Sequence, residues 1–118
     1  MANVYAFDVD ETLEISAGPV TIQMMLDLRN NGHIVGLCGN WALFCHRVRD
    51  WQEVVSFMNN GGTDKETHLR QLKMYVPADD FILVGNVLGV SGASDDQGAA
   101  QRAGWRFIRE SDFAEEIR

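Results

Sequence analysis

The feature that most constrains this chain is the regular alternation of short apolar runs with segments of helical spacing. Val4–Phe7, His33–Cys38, Val54–Met58, Phe81–Val84 and Trp105–Ile108 read as buried strands, rich in β-branched and aromatic side chains. Gly18–Pro19 opens a first helix, with Ile22, Met25 and Leu26 on one face and Gly32 as its stop. Trp41, Phe44, Val48 and Trp51 recur at helical spacing and predict a second helix. Asn59–Gly62 reads as a turn. Thr63 or Asp64 then caps a helix carrying Leu69 and Leu72. After a glycine-rich loop over Gly85–Ala93, Ser94 and Gln97 form a capping-box pattern. That helix carries the small residues Ala99, Ala100 and Ala103, and Gly104 ends it. A last short helix is expected near Asp112. Strands alternating with helices predict an α/β fold, a central parallel sheet of about five strands with helices on both faces. No repeat or linker interrupts the 118 residues, so a single domain over 1–118 is expected.

Composition narrows the function. A hydrophobic fraction of 46% and a charged fraction of 23% are ordinary for a globular chain. The net charge of −7 argues against a broad nucleic-acid contact, which needs basic patches. Any phosphate site must therefore make its own positive field, from a metal, a lysine or helix N-termini. Cys38 and Cys45 form no CxxC pair and read as reduced thiols, and His33, His46 and His68 lack zinc-site spacing. No basic leader precedes Val4–Phe7 and no stretch is long and apolar enough to span a bilayer. The expectation is a cytoplasmic protein with no membrane partner.

In an open parallel sheet the ligand crevice lies beyond the carboxyl ends of the strands. Three polar clusters fall there: Asp8–Asp10, Cys38–Asn40, and Asn86 with Asp95–Asp96. Asp8 and Asp10 are two apart, so in an extended chain both side chains point to the same side. Two carboxylates that close need a cation between them or a proton on one, which gives a Mg²⁺ site or a general acid.

FDVDETL, residues 7–13, resembles the DxDx(T/V) signature of the haloacid dehalogenase-like (HAD) superfamily, behind a hydrophobic strand. HIVGLCGN is similar to that family's second motif, and Lys65 at a helix head to its third. FILVGN followed by DDQGAAQRAGW resembles the fourth. The resemblance covers the whole chain and implies a three-layer, Rossmann-like HAD fold. It also implies a Mg²⁺-dependent phosphohydrolase working through an aspartyl-phosphate. Asp8 would be the nucleophile, Asp10 the acid and base whose carbonyl helps hold Mg²⁺, and Lys65 the cation that neutralises phosphoryl charge. Thr12 would support the loop carrying Asp10. Cys38, Gly39 and Asn40 would meet the phosphate. Asp8, Asp10, Asn86 and Asp95 or Asp96 would meet the metal, with Asp96 lining up best with the family's second acid, counting back from Ala99–Ala100.

Two positions depart from the family pattern. Cys38 stands where the family has Thr or Ser, and Asn86 stands where it has Asp. The segments after Asp10 and before Lys65 are too short for a cap domain. An open site fits a large phosphorylated substrate, or a neighbouring subunit of a homo-oligomer acting as lid. Trp41 would then lie near the mouth, as a stacking surface or as core. The competing readings are a non-catalytic HAD-like module that binds a ligand or partner, a phospho-receiver domain, and a nucleotide site at Gly85–Gly92. A receiver needs its acceptor Asp after the third strand. GNVLGVSG lacks both the P-loop Gly-Lys-Ser/Thr and the GxGxxG spacing.

Overall fold

Alternate side chains of β1 (Val4–Phe7) leave the sheet on opposite faces, and both faces are covered. Tyr5 and Phe7 enter one apolar cluster, whereas Val4 and Ala6 enter the other. β3 (Phe81–Gly85) divides the same way, Ile82 and Val84 against Phe81 and Leu83. Two-sided burial is why these strands are continuous apolar runs rather than alternating ones. The computed structural model describes residues 2–59, 64–92 and 94–117.

Four strands form a wholly parallel sheet in the order β2-β1-β3-β4, with β2 at Ile34–Leu37 and β4 at Arg106–Arg109. On one face α1 (Ile22–Asn30), α2 (Trp41–Arg47), α3 (Trp51–Val54) and α6 (Glu110–Ala114) contribute Met25, Phe44, Val54 and Phe113. On the other, α4 (Lys65–Tyr75) and α5 (Asp96–Ala103) contribute Leu69, Ala99, Ala100 and Ala103. The Phe113 ring meets Phe7 edge-on, with centroids 5.3 Å apart, and so fastens α6 to β1. Trp105 precedes β4 and ties it to α4 by donating from Nε1 to the Leu69 carbonyl at 2.9 Å.

The expectation of five strands is corrected to four among the described residues. Val54–Met58 does run beside β2, but α3 absorbs Val54 and only one bridge forms, Gly36 with Phe57. Ser56 N–H bonds Val35 O at 2.7 Å, and Leu37 N–H bonds Phe57 O at 3.1 Å. The Phe57 ring lies over Gly36, where a Cβ would approach it to 2.3 Å. The expected Trp41–Trp51 helix is two helices, because Val48 turns extended at φ −109°, ψ 107°. α1 starts at Ile22, capped by the Thr21 hydroxyl on Met24 N–H, and not at Pro19. Asp64 caps α4; the alternative cap Thr63 and positions 60–62 of the expected turn lie outside the described residues. Gly104 ends α5 at φ 77°, a left-handed position that glycine takes without strain. α6 begins at Glu110, two residues before Asp112. Among the described residues no helix is long and apolar enough to cross a membrane. Cys38 and Cys45 are free thiols.

The sheet order places β1 and β3 side by side at the centre, with the chain turning from β1 to one side and later to the other. This is the topological switch point of a parallel sheet, where a crevice opens beyond the strand ends. Asp8 follows β1 and Asn86 follows β3, so both stand at that crevice.

Candidate functional site

Asp8 is only 3% exposed, and both of its carboxylate oxygens have partners. Oδ1 faces Lys65 Nζ at 3.1 Å. Oδ2 accepts from Asn86 Nδ2 at 2.9 Å and lies 3.5 Å from the Thr12 hydroxyl. Lys65 is also ion-paired with Asp96, which is fully buried. One ammonium thus bridges two buried carboxylates from different elements.

Local sequence accounts for each placement. Lys65 is the first residue of α4, after the Asp64 cap that accepts from Thr67 N–H at 2.8 Å. A cation in the first turn of a helix opposes the macrodipole. Two carboxylates facing it outweigh that local cost. Asp96 is the first residue of α5 because Asp95 caps that helix, accepting from Gly98 N–H at 3.1 Å. The Ser94–Gln97 capping frame is therefore corrected by one residue. This shift sends the two acids apart: Asp96 turns inward to Lys65 and to Asn86 N–H at 2.7 Å, while Asp95 faces Arg102. Asp95 makes no described contact with Asp8.

Asn86 binds the strand ends together. Its Nδ2 donates to Asp8 Oδ2 and to the Asp10 carbonyl, both at 2.9 Å, and its Oδ1 accepts from Thr12 Oγ1 at 3.1 Å. Thr12 is fully buried and links the loop after β1 to β3 in this way. The Asp10 carboxylate points elsewhere. It is exposed, and Oδ1 accepts from Ser16 Oγ and Asn40 Nδ2 at 3.3 Å each. Asn40 also caps α2. Gly39 lies against Asp8, where a Cβ would come within 2.5 Å of Oδ1. Its N–H donates to Asn59 Oδ1 at 3.0 Å, so Asn59 occupies a donor expected to meet phosphate. Cys38 is buried with Val4, Ala6 and Leu69 rather than open to the crevice. Trp41 heads α2 and is 38% exposed.

The site therefore brings together Asp8, Thr12, Lys65, Asn86, Asp96 and the Asp10 carbonyl. It joins the Asp10 carboxylate to Asn40 at the rim. Sequence reasoning missed Ser16 and Asn59, each a single polar side chain with no local pattern to mark its partner. A cleft of about 430 Å³ flanks the Lys65–Asp96 side, between the N-termini of α4 and α5. Asp64, Glu66, Asp95 and Asp96 line it against Lys65 and Arg102, a balance that does not favour an anion.

Electrostatics follow from burial and charge count. Burial pushes the Asp8 carboxyl up to about 7; Lys65 pulls it down and Asp96 raises it again. Burial alone would lower Lys65, but Asp8 and Asp96 outweigh it and hold the ammonium above its ordinary range. Burial pushes the Cys38 thiol up to about 12, so it stays protonated and inert at neutral pH. His68, also buried, is lowered by desolvation, against the hydrogen bond that its Nε2 donates to Leu37 O at 3.3 Å.

The donor set does not fit Mg²⁺ as these side chains stand. A hard cation bridging Asp8 Oδ2 and the Asp10 carbonyl would have to stand where Asn86 Nδ2 now stands, 2.9 Å from each. Asp96 has both oxygens engaged, by Lys65 and by Asn86 N–H. Asp95 is turned to its helix cap. Comparison with family models, with curated proteins and with solved structures found no match for this chain.

Proposed function

We propose that this chain is a phosphoric monoester hydrolase of HAD-like type in which Asp8 is the nucleophile. The observation that carries the reading is the Asp8–Lys65–Asp96 bridge at the switch point of the sheet. It sets a buried carboxylate beside an ammonium where a phosphoryl group would have to be met. Phosphoryl transfer depends mainly on positioning and charge neutralisation, and Lys65 supplies both a charge and a directed donor.

In this reading an Asp8 oxygen forms a bond to phosphorus as the ester P–O bond breaks. The leaving oxygen takes its proton from Asp10, whose carboxyl stands exposed at the rim between Asn40 and Ser16. Water then attacks the aspartyl-phosphate phosphorus, its proton passing to Asp10, and inorganic phosphate leaves with Asp8 restored. Asp96 holds Lys65 in place, and Thr12 with Asn86 hold the Asp8 carboxylate. The resemblance implies Mg²⁺ as cofactor, but none of these steps is routed through it, because the Asn86 amide stands between the two oxygens that would hold it. A single short segment on each side of the crevice leaves room for a large phosphorylated substrate or for a second subunit.

A second reading, a HAD-like module that binds without turnover, is favoured by the full engagement of Asp8. One lysine against two buried carboxylates also leaves the cluster at a net −1 when both are ionised, which resists a phosphate dianion. The two readings part on one experiment: hydrolysis of an aryl phosphate by the wild type and Asp8→Asn, each with Mg²⁺ and with chelator. Turnover lost in Asp8→Asn supports the hydrolase. Equal rates in the two proteins would remove Asp8 from the chemistry.

A further inference from the structure

The carboxamide of Asn86 holds an unusual position. Its two N–H groups reach two oxygens that can only accept, the Asp8 carboxylate and the Asp10 peptide carbonyl, both at 2.9 Å. Its Oδ1 faces a hydroxyl that can donate, Thr12 Oγ1 at 3.1 Å. These partners fix which end of the amide points where. Burial fixes it further: Asn86 is 1% exposed, and the loop after β3 lies flat upon it, since a Cβ on Gly92 would come within 2.5 Å of Nδ2. A carboxylate oxygen and a peptide carbonyl converging on one point are the oxygen donors that a hard divalent cation would bridge.

We propose that Asn86 controls cation occupancy of this site, because its carboxamide N–H groups and a divalent cation compete for the same two oxygens. Asn86 is then a positioning residue. It holds the Asp8 carboxylate and the Asp10 loop together, as a bridging cation otherwise would, and keeps them assembled with no metal bound. Cation binding must first break two hydrogen bonds, one of them to a charged acceptor. The measured affinity is the intrinsic one multiplied by the small fraction of molecules in which the amide has left. The alternative role, Asn86 as a neutral oxygen ligand, needs the opposite face of the amide toward Asp8 and predicts the reverse effect of removing it. The inference concerns these oxygens alone, so it is read on cation binding and is independent of whether Asp8 turns over a phosphoester.

The test is Mg²⁺ titration by calorimetry of the wild type, Asn86→Ala and Asn86→Asp. Competition predicts that removing the amide helps: Asn86→Ala binds Mg²⁺ about tenfold or more tightly than the wild type, the equivalent of one lost charged hydrogen bond. Asn86→Asp binds more tightly still, because it removes the competitor and adds a charge. An Asn86→Ala affinity equal to or weaker than the wild type overturns the proposal, since it makes the amide a ligand or a bystander. Asn86→Ser, which keeps a small polar group in the buried pocket, gives the same comparison if the alanine variant does not fold. A second readout uses the wild type itself. As Mg²⁺ occupies the site, the Asn86 side-chain NH₂ resonances move in step with binding. Unmoved resonances at saturating Mg²⁺ also overturn it.

Discussion

Replacing Lys65 by Met removes the one positive charge between two buried carboxylates while keeping most of the side-chain volume. The side chain of Lys65 is 21% exposed, against 4% for Asp8 and none for Asp96, so the pair belongs with buried ion pairs rather than surface ones. Breaking such a pair from one side costs about 3–5 kcal/mol, because the other charge is left uncompensated. Asp8 keeps its Asn86 bond and Asp96 keeps the Asn86 N–H, which places this case near the lower end, about 3 kcal/mol. With an unfolding entropy of about 2.1 cal/mol/K per residue over 118 residues, that is a fall in Tm of about 12 °C. The sign with pH is fixed. Without the lysine the Asp8 carboxyl, already raised by burial, loses the charge that pulls it down, so the penalty is full above its folded pKa and disappears as pH falls toward the unfolded one. Urea unfolding of both proteins at pH 8 and pH 4.5 reads this directly. The loss should be large at pH 8 and mostly gone at pH 4.5. An equal loss at both values, or less than about 1 kcal/mol at pH 8, refutes the charge-bridge account.

The raised Asp8 carboxyl has a kinetic counterpart. Since attack needs the carboxylate, kcat/KM for an aryl phosphate should climb with pH through about 7 and level off above it; a flat profile across that range contradicts the assignment. Gly39→Ala places a Cβ within 2.5 Å of Asp8 Oδ1, on the Lys65 side. It should cost about 1–3 kcal/mol in chemical denaturation and depress turnover, whereas a neutral result would mean the crevice floor is not as close as described. Cys38, buried and raised to about 12, should resist alkylation in the native protein and react fully in urea; rapid native labelling counted by mass would show it open to the crevice.

The fold was legible where burial is two-sided. Val4–Phe7 and Phe81–Val84 leave no polar position for a solvent face, so strand and parallel sheet follow from the residues themselves. Val54–Met58 carries a similar apolar run but is not a strand. Its first residue is spent in α3 and only Ser56 and Phe57 reach β2, and no local pattern distinguishes an edge bridge from a strand. At the site, Asp8 was legible through its place at a strand end, and Lys65 only through the resemblance, since a lysine at a helix head is by default an exposed one. The choice between Asp95 and Asp96 was legible only through the resemblance, which lines Asp96 up with the family's second acid. It turns on which residue caps α5, and Ser94 with Gln97 offered a plausible frame one residue too early. Asn86 was legible as a residue near the metal position but not as a donor, because an amide's role is set by partners 74, 76 and 78 positions away. Cys38 was expected at the phosphate because it stands where the resembled family has Thr or Ser; its side chain instead completes the apolar layer under α4.

The central claim is that Asp8 becomes covalently phosphorylated. Rapid acid quench of the protein with an aryl phosphate, followed by peptide mapping by mass spectrometry, tests it most directly. The account predicts a phosphoryl group on the peptide containing Asp8, released by hydroxylamine and absent in Asp8→Asn. Sustained turnover with no adduct at any quench time, and an unchanged rate in Asp8→Asn, would contradict it.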